Sequence, residues 1–182
     1  MSPTRPLIIF GIDPGLKCTG YGVIAVEGSS YRCLDFGAIK PPANASHTEK
    51  LMRIHEGLFD IMHASQPHEV AIEDFIIGHT RAAVAIGEAR AAASLAAGRM
   101  GLPVSLYKPS EVKQFVTSYG RGSKEQVGAM VQALIGLREP PSPPDAADAL
   151  AVALCHVLRR QSGSFRSSEG RTSVRPRAGA RG

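Results

Sequence analysis

Four acidic residues have the clearest potential for chemistry in this sequence. Asp13 ends a short apolar run of strand-forming residues and precedes a Pro-Gly turn. Glu73 directly follows a second short apolar run. Asp145 and Asp148 are three residues apart in a predicted helix and so share one of its faces. If the two predicted strands are neighbours, Asp13 and Glu73 emerge at one sheet edge, where the helix can bring the other two acids across from them.

Four carboxylates in one cleft repel each other unless cations bind between them. Hard oxygen ligands suit Mg²⁺ or Mn²⁺. Two such ions about 4 Å apart can activate a water molecule and stabilise the leaving oxygen of a phosphodiester. Each acid alone has an ordinary alternative role: a turn aspartate, a strand-end charge, a helix N-terminal charge or a solvated helix face. Only the set of four is specific.

Apolar periodicity and turn residues predict the elements that must position these acids. The predicted strands are 7–13, 20–27, 31–40, 70–72 and 104–107, and the predicted helices are 47–65, 80–100, 109–117, 124–135 and 144–160. Capping-box patterns open the first and fourth helices, at Ser46 and Ser123. The fourth helix is expected to point the following residues inward: Val127, Met130, Val131, Leu134 and Ile135.

The alanine-rich helix 80–100 has apolar residues around most of its circumference. A helix of this kind is expected to be buried on more than one side. One face can cover the sheet, and a second copy of the chain is a natural cover for the other. Ala93 and Ala97 are the positions chosen as candidates for the outward, dimer-forming face.

Length and composition predict one domain with a tail. The chain has 182 residues, no run of 18 apolar residues and no signal-peptide pattern at its start. Its three cysteines, Cys18, Cys33 and Cys155, form neither a disulfide framework nor a metal knuckle. These features favour a reducing, cytoplasmic setting.

The positive charge is concentrated at the end of the chain. Residues 159–182 contain seven arginines and one acid, a net charge of +6, so the body carries −1 of the total of +5. We therefore expect a folded domain over 1–160 and a disordered basic tail over 161–182. Such a tail is expected to add sequence-independent attraction to a polyanion.

Beyond these local patterns, the sequence resembles the RuvC family of bacterial Holliday-junction resolvases over roughly residues 7–158. The matching stretches are GIDPG at 11–15, TGYGVI at 19–24, AIE at 71–73, GEAR at 87–90, VKQ at 112–114 and DAADAL at 145–150. The resemblance implies an α/β fold of the RNase H-like type, a five-stranded mixed sheet flanked by helices. It also implies a cytoplasmic homodimeric endonuclease that makes paired nicks in four-way DNA junctions and has RuvA and RuvB as partners.

The resemblance also assigns roles to individual residues. It implies that the four acids bind two Mg²⁺ ions per subunit, for which Mn²⁺ can substitute. Lys113 and Lys124 match lysines that lie near the DNA, and both have the alternative role of helix-surface residues. The family has a base-stacking aromatic after the strand-four glutamate, but some relatives space it one residue further along. Phe75 or Ile76 therefore takes this position here, and Phe75 could instead pack on the core. Arg121 is a further candidate for holding the DNA strand.

Three other functions are compatible with parts of the pattern. A protein that only binds DNA gains nothing from four converging acids beside a polyanion. An actin-like ATPase shares the Asp-Pro-Gly start at Asp13, but that class needs two lobes and roughly twice the length. A ribonuclease of the same fold is the nearest enzymatic alternative, and cleavage of junctions against RNA–DNA hybrids separates the two.

Overall fold

The computed structural model describes residues 5–75, 80–117 and 123–163. Five strands and five helices lie within these ranges. In chain order they are β1 (Leu7–Asp13), β2 (Thr19–Glu27), β3 (Ser30–Ile39), α1 (His47–Ser65), β4 (Glu69–Glu73), α2 (Arg81–Arg99), β5 (Val104–Tyr107), α3 (Pro109–Thr117), α4 (Lys124–Ile135) and α5 (Pro144–Gln161). The predicted order of elements is confirmed, and their ends differ by at most one residue.

The strands form one sheet in the order β3-β2-β1-β4-β5. The pairs β1/β2 and β2/β3 are antiparallel, because short turns connect them. The pairs β1/β4 and β4/β5 are parallel, with helical crossovers between them. The sheet is therefore mixed and five-stranded, as the resemblance implied.

Helices cover both faces of this sheet. On one face, α5 packs over β1 and β2, and α3 and α4 lie beside it. On the other face, α1 and α2 pack against each other and on the central strands. Because residues alternate between faces along a strand, Ile9 belongs to the first core and Phe10 to the second.

Both predicted capping boxes are present. The Ser46 hydroxyl accepts from the Glu49 amide at 3.3 Å, and the Ser46 amide donates to Glu49 Oε2 at 2.7 Å. Ser123 and Gln126 make the same reciprocal pair at the start of α4. Each box gives partners to two backbone N–H groups that a helix start would otherwise leave unpaired.

Three predictions about helix faces and ends need correction. Ala93 and Ala97 are fully buried, because the small face of α2 packs against α1 within the same chain. Met130 is 38% exposed instead of facing inward, since α4 buries only one narrow side. The helix α5 includes Gln161, which the sequence analysis assigned to the tail. Residues 164–182, the rest of the predicted tail, lie outside the described residues.

Within the described ranges, no helix is long and apolar enough to cross a membrane.

Candidate active site

The first two acids lie at one edge of the sheet, as predicted. Asp13 is the last residue of β1, and Glu73 is the last residue of β4. These strands are parallel neighbours, and Ile12 of one is in register with Ile72 of the other. The next residues are Asp13 in β1 and Glu73 in β4. They are therefore neighbours as well, and their carboxylates emerge side by side.

The other two acids reach this edge because α5 lies unusually close to the sheet. Gly20 pairs with Asp13, and a Cβ atom on Gly20 would lie only 2.0 Å from the carbonyl oxygen of Asp145. A Cβ atom on Gly11 would lie 2.2 Å from the carbonyl oxygen of Ala149. Both distances are far below van der Waals contact, so only glycine lets the first turns of α5 rest on β1 and β2.

The electrostatics of Asp13 show that the four acids converge. Burial is the largest cause that raises the pKa of Asp13 well above its ordinary value of 3.8. The negative charges of Glu73, Asp148 and Asp145 raise that pKa further. A hydrogen bond with Glu73 makes a smaller contribution that also raises the pKa of Asp13.

The donor chemistry of this cluster fits a hard divalent cation, because it is rich in carboxylate oxygens. In residues 5–75, 80–117 and 123–163, however, no three carboxylate, imidazole or thiol groups are already arranged around one point that could hold a metal ion. A bound divalent cation would offset the mutual repulsion of the carboxylates that raises the pKa of Asp13.

A cavity of about 220 Å³ opens beside the acids, between β4, α3, α4 and α5. Its polar lining consists of Glu73, Asp148 and Lys113, and its apolar lining includes Phe75. Pro109, Val112, Val127 and Ala151 complete the wall. Lys113 therefore lies next to two of the four acids, where it can meet a phosphate held by them. Phe75 is partly exposed at the same cavity and is not part of either buried core.

The remaining predicted DNA contacts are only partly described. Lys124 is the first residue of α4, but its side chain lies outside the described part of the structure. Arg121 and Ile76 also lie outside the described residues. Their assignments remain predictions.

Cys18, which the cysteine spacing excluded from a disulfide framework and a metal knuckle, is a neighbour of the acids. Its thiol hydrogen-bonds to Asp145. Burial, this hydrogen bond and the charge of Asp145 raise the pKa of the Cys18 thiol to about 11, while the charge of Lys40 acts in the opposite direction. The thiol is thus protonated at neutral pH and can donate to the Asp145 carboxylate. No sequence signal marked this contact, because it joins the β1–β2 turn to a helix more than a hundred residues later.

An ion pair fixes the exit of β4 immediately after Glu73. The Asp74 amide donates to the carbonyl of Tyr107 at 2.7 Å, and the Asp74 carboxylate contacts the Arg90 guanidinium of α2. Successive strand residues point to opposite faces, so Asp74 turns toward α2 while Glu73 turns toward α5. Arg90 belongs to the GEAR stretch at 87–90, one of the stretches that carry the family resemblance. That stretch marked Arg90 in the sequence, but nothing there indicated Asp74 as its partner.

A buried polar chain links three elements behind the site. The Tyr107 hydroxyl and His156 Nδ1 are 2.8 Å apart, and His156 Nε2 is 2.8 Å from Glu69 Oε2. Arg160 donates to the other Glu69 oxygen at 2.6 Å. These contacts attach the C-terminal half of α5 to β4 and β5, so they help to hold the helix that carries two of the acids.

Comparison with known protein families gives a match over most of the chain. The model of the family described as "Crossover junction endodeoxyribonuclease RuvC" matches residues 9–156. The chain belongs to the RuvC family. Family membership implies a nuclease that uses a divalent metal ion.

Individual RuvC proteins are similar to this chain over most of their length. The chain is 43% identical to the RuvC of Protochlamydia amoebophila over 155 residues, which cover 85% of this chain and 92% of that one. It is 44% identical to the RuvC of Moorella thermoacetica, covering 83% and 91%. The structure of Thermus thermophilus RuvC in complex with a Holliday junction substrate superposes with a TM-score of 0.82 at 36% identity, covering 87% and 97%. The RNase H-like RuvC fold expected from the sequence is therefore confirmed.

Proposed function

We propose that this chain resolves four-way DNA junctions by paired, symmetrical nicks, and that Asp13, Glu73, Asp145 and Asp148 form its catalytic centre. The observation that carries the proposal is the convergence of these carboxylates, from two strand ends and one helix, in a chain of the RuvC family. From the family resemblance, we also propose that the chain acts in the cytoplasm, in homologous recombination and DNA repair.

The four carboxylates are the residues that would hold two Mg²⁺ ions, with Mn²⁺ as a substitute. When bound, the ions would lower the pKa of a water molecule and stabilise negative charge on the leaving oxygen. The protein's own contribution is rigid placement. Asp13 and Glu73 are fixed by the backbone of adjacent strands, and the Gly20 contact fixes the height of Asp145. A phosphate at this site is then oriented before the reaction begins.

Residues around the acids would bind the DNA strand. Lys113, beside Glu73 and Asp148, offers a positive charge to a phosphate near the scissile bond. Arg121, between α3 and α4 in the chain, and Lys124, the first residue of α4, are proposed to continue this contact. Phe75 lines the same cavity and is proposed to stack on unpaired bases at the junction.

Symmetrical nicking needs two active sites, and the outer face of α2 supports a homodimer. Val84 is 57% exposed and Leu95 is 65% exposed. Ala91 and Gly98 are also exposed, and all four lie along one stripe at helical spacing. An apolar stripe of this kind fits a second copy of the same helix. The family resemblance adds RuvA and RuvB as proposed partners, and co-sedimentation with both proteins on a junction tests that proposal.

The test is cleavage of a synthetic four-way junction whose four strands are labelled in turn. With Mg²⁺, the wild-type chain should nick two opposing strands at matching positions. The charge-removing variants Asp13→Asn, Glu73→Gln, Asp145→Asn and Asp148→Asn should each lose at least most of this activity while still binding the junction. Glu27→Gln, an exposed acid at the other end of β2, serves as the control.

Normal cleavage by Asp13→Asn would contradict the proposed centre. Binding without any cleavage by the wild-type chain would indicate a protein that only binds DNA. Faster cleavage of an RNA–DNA hybrid than of the junction would favour the ribonuclease alternative.

A further inference from the structure

Strand register places Lys40 on the same face of the sheet as the acids. Asp13 of β1 pairs with Gly20 of β2, and Gly20 pairs with Ala38 of β3. Residues directly opposite each other across neighbouring strands share a face. Lys40 comes two residues after Ala38, so by the alternation of strand residues it lies toward the same side. This is the face on which α5 rests, as the near contact of Gly20 with Asp145 shows.

The contacts of Cys18 place Lys40 at the rim of the acid cluster. Thr19 is in register with Ile39, so the preceding Cys18 lies opposite the following Lys40. The Cys18 thiol hydrogen-bonds to Asp145, and it senses the positive charge of Lys40. Lys40 itself is exposed. Its ammonium group is therefore close to the site and open to a ligand.

The distance to the acids suits a phosphate next to the one that is cut. Two strand spacings and two residues along the strand separate Lys40 from Asp13, which gives about 12 Å between their Cα atoms. The flexible side chain of Lys40 covers part of this distance. Lys17, exposed in the β1–β2 turn, adds a second positive charge on this side.

On the opposite side of the acids, Lys113 lines the cavity with Glu73 and Asp148. Positive charges thus flank the carboxylates at both ends, one from β3 and one from α3. A DNA strand that crosses the acids has phosphates on both sides of the scissile bond. A DNA strand bound only on the α3 side would still be able to rotate about the catalytic centre.

We propose that Lys40 binds a phosphate of the cleaved strand on the β3 side of the acids, opposite Lys113, so that the strand is held at two points across the catalytic centre. This inference rests on the proposed function, since it assumes that the acids cut DNA. It adds a second substrate-binding side to the site, and its ligand is a non-scissile phosphodiester.

The experiment compares Lys40→Gln and Lys40→Arg with Arg32→Gln. Arg32 is an exposed cation near the other end of β3, so its variant removes the same charge far from the acids. Junction binding is measured against salt with Ca²⁺ in place of Mg²⁺. Losing one phosphate contact should lower the log–log slope by about 0.9, so the affinity ratio of wild type to Lys40→Gln should shrink about 3.5-fold from 50 to 200 mM salt. Lys40→Arg and Arg32→Gln should keep the wild-type slope.

A methylphosphonate scan of the cleaved strand locates the contact. One neutral linkage beside the scissile position should weaken binding by the wild-type chain but leave Lys40→Gln unaffected. Equal slopes for Lys40→Gln and wild type, or equal responses to every neutral linkage, would overturn the proposal. Because binding is read without cleavage, these outcomes are distinct from a wild-type chain that fails to cut junctions, which would overturn the proposed function instead.

Discussion

Gly20 is the single residue on which the placement of Asp145 depends most directly. We expect Gly20→Ala to push the start of α5 away from the sheet, because the new Cβ would lie 2.0 Å from a backbone oxygen that has no flexible side chain to yield. A displacement of about 1 Å at reacting groups can cost about 100-fold in rate. Single-turnover cleavage at saturating protein measures this loss.

Gly57→Ala is the matched control for that substitution. A Cβ atom on Gly57 would lie 2.9 Å from the terminal Cδ1 of Ile39, a side-chain end that can move. We expect this control to keep nearly wild-type activity. Full activity in Gly20→Ala would show that α5 does not rely on this close approach.

Phe75 tests whether the cavity beside the acids contacts bases. Phe75→Ala should lose about 1–3 kcal/mol of base stacking. The loss should appear in cleavage of intact junctions and be smaller on a substrate whose crossover bases are already unpaired. Phe115→Ala removes a ring that packs against the core, so it is the control. Equal loss on both substrates with a lowered melting temperature, as expected for Phe115→Ala, would identify Phe75 as a structural residue.

The four acids could be predicted from the sequence because each has a local marker. Asp13 and Glu73 follow apolar strand runs, and the other two acids sit at helical spacing after a Pro-rich segment. The contacts of Cys18 with Asp145 and of Asp74 with Arg90 had no such marker. Both contacts form only after the strand order brings distant parts of the chain together.

At the scale of elements, α2 shows what an alanine-rich pattern leaves undetermined. Ala89, Ala93 and Ala96 face the core, and Val84 and Leu95 face outward. Small apolar residues occur on every side of this helix, so its sequence has little asymmetry from which to choose a face. Val84 and Leu95 stay exposed after the sheet and α1 cover the helix, so a second copy as the outer cover stays a prediction. Ala93 and Ala97 were the wrong positions for that outer face.

The exposed face of α2 gives a better test of the proposed dimer. Leu95→Glu should place an unpaired charge at the contact between copies and dissociate the dimer, because the charge would be desolvated there. Sedimentation velocity at micromolar concentration should show a monomer. The variant should also nick the two strands of a junction independently, since its two sites are no longer coupled.

Met52→Glu is the corresponding control, since Met52 is 53% exposed on α1. It should remain dimeric. A wild-type chain that already sediments as a monomer would contradict the dimer, and so would a Leu95→Glu variant with unchanged mass.

Across the whole molecule, Glu69 connects the sheet to the far half of α5 and should contribute a pH-dependent stability. The hydrogen bond from His156 is the largest cause that lowers the pKa of Glu69 below its ordinary value of 4.5, and the charge of Arg160 adds to it. A carboxyl group with a lowered folded-state pKa stabilises the protein above the unfolded value. That stabilisation is lost as the pH falls through the folded value.

We therefore expect Glu69→Gln to be less stable than wild type by about 1.5–3 kcal/mol at pH 7, the range for hydrogen bonds to charged groups. The difference should persist down to about pH 5 and shrink below pH 4.5, because protonated glutamate resembles glutamine. Denaturant unfolding at several pH values measures it. Glu56→Gln, an exposed acid on α1, should show no such trend. A difference that stays constant to pH 3 would contradict the role given to the Glu69 charge.

The two ends of α5 lie at opposite ends of β2. Asp145 rests beside Gly20, while the Gln161 side chain accepts from the Tyr31 hydroxyl at 2.7 Å and donates to the Gly28 carbonyl at 2.9 Å. The 16 residue steps from Asp145 to Gln161 span about 24 Å of helix. A dye, surface tether or fused reporter joined after Gly163 would thus begin a fixed distance from the acids, on the β2–β3 turn. For single-molecule measurements of junction resolution, this helix would act as a rigid spacer between the attachment point and the acids.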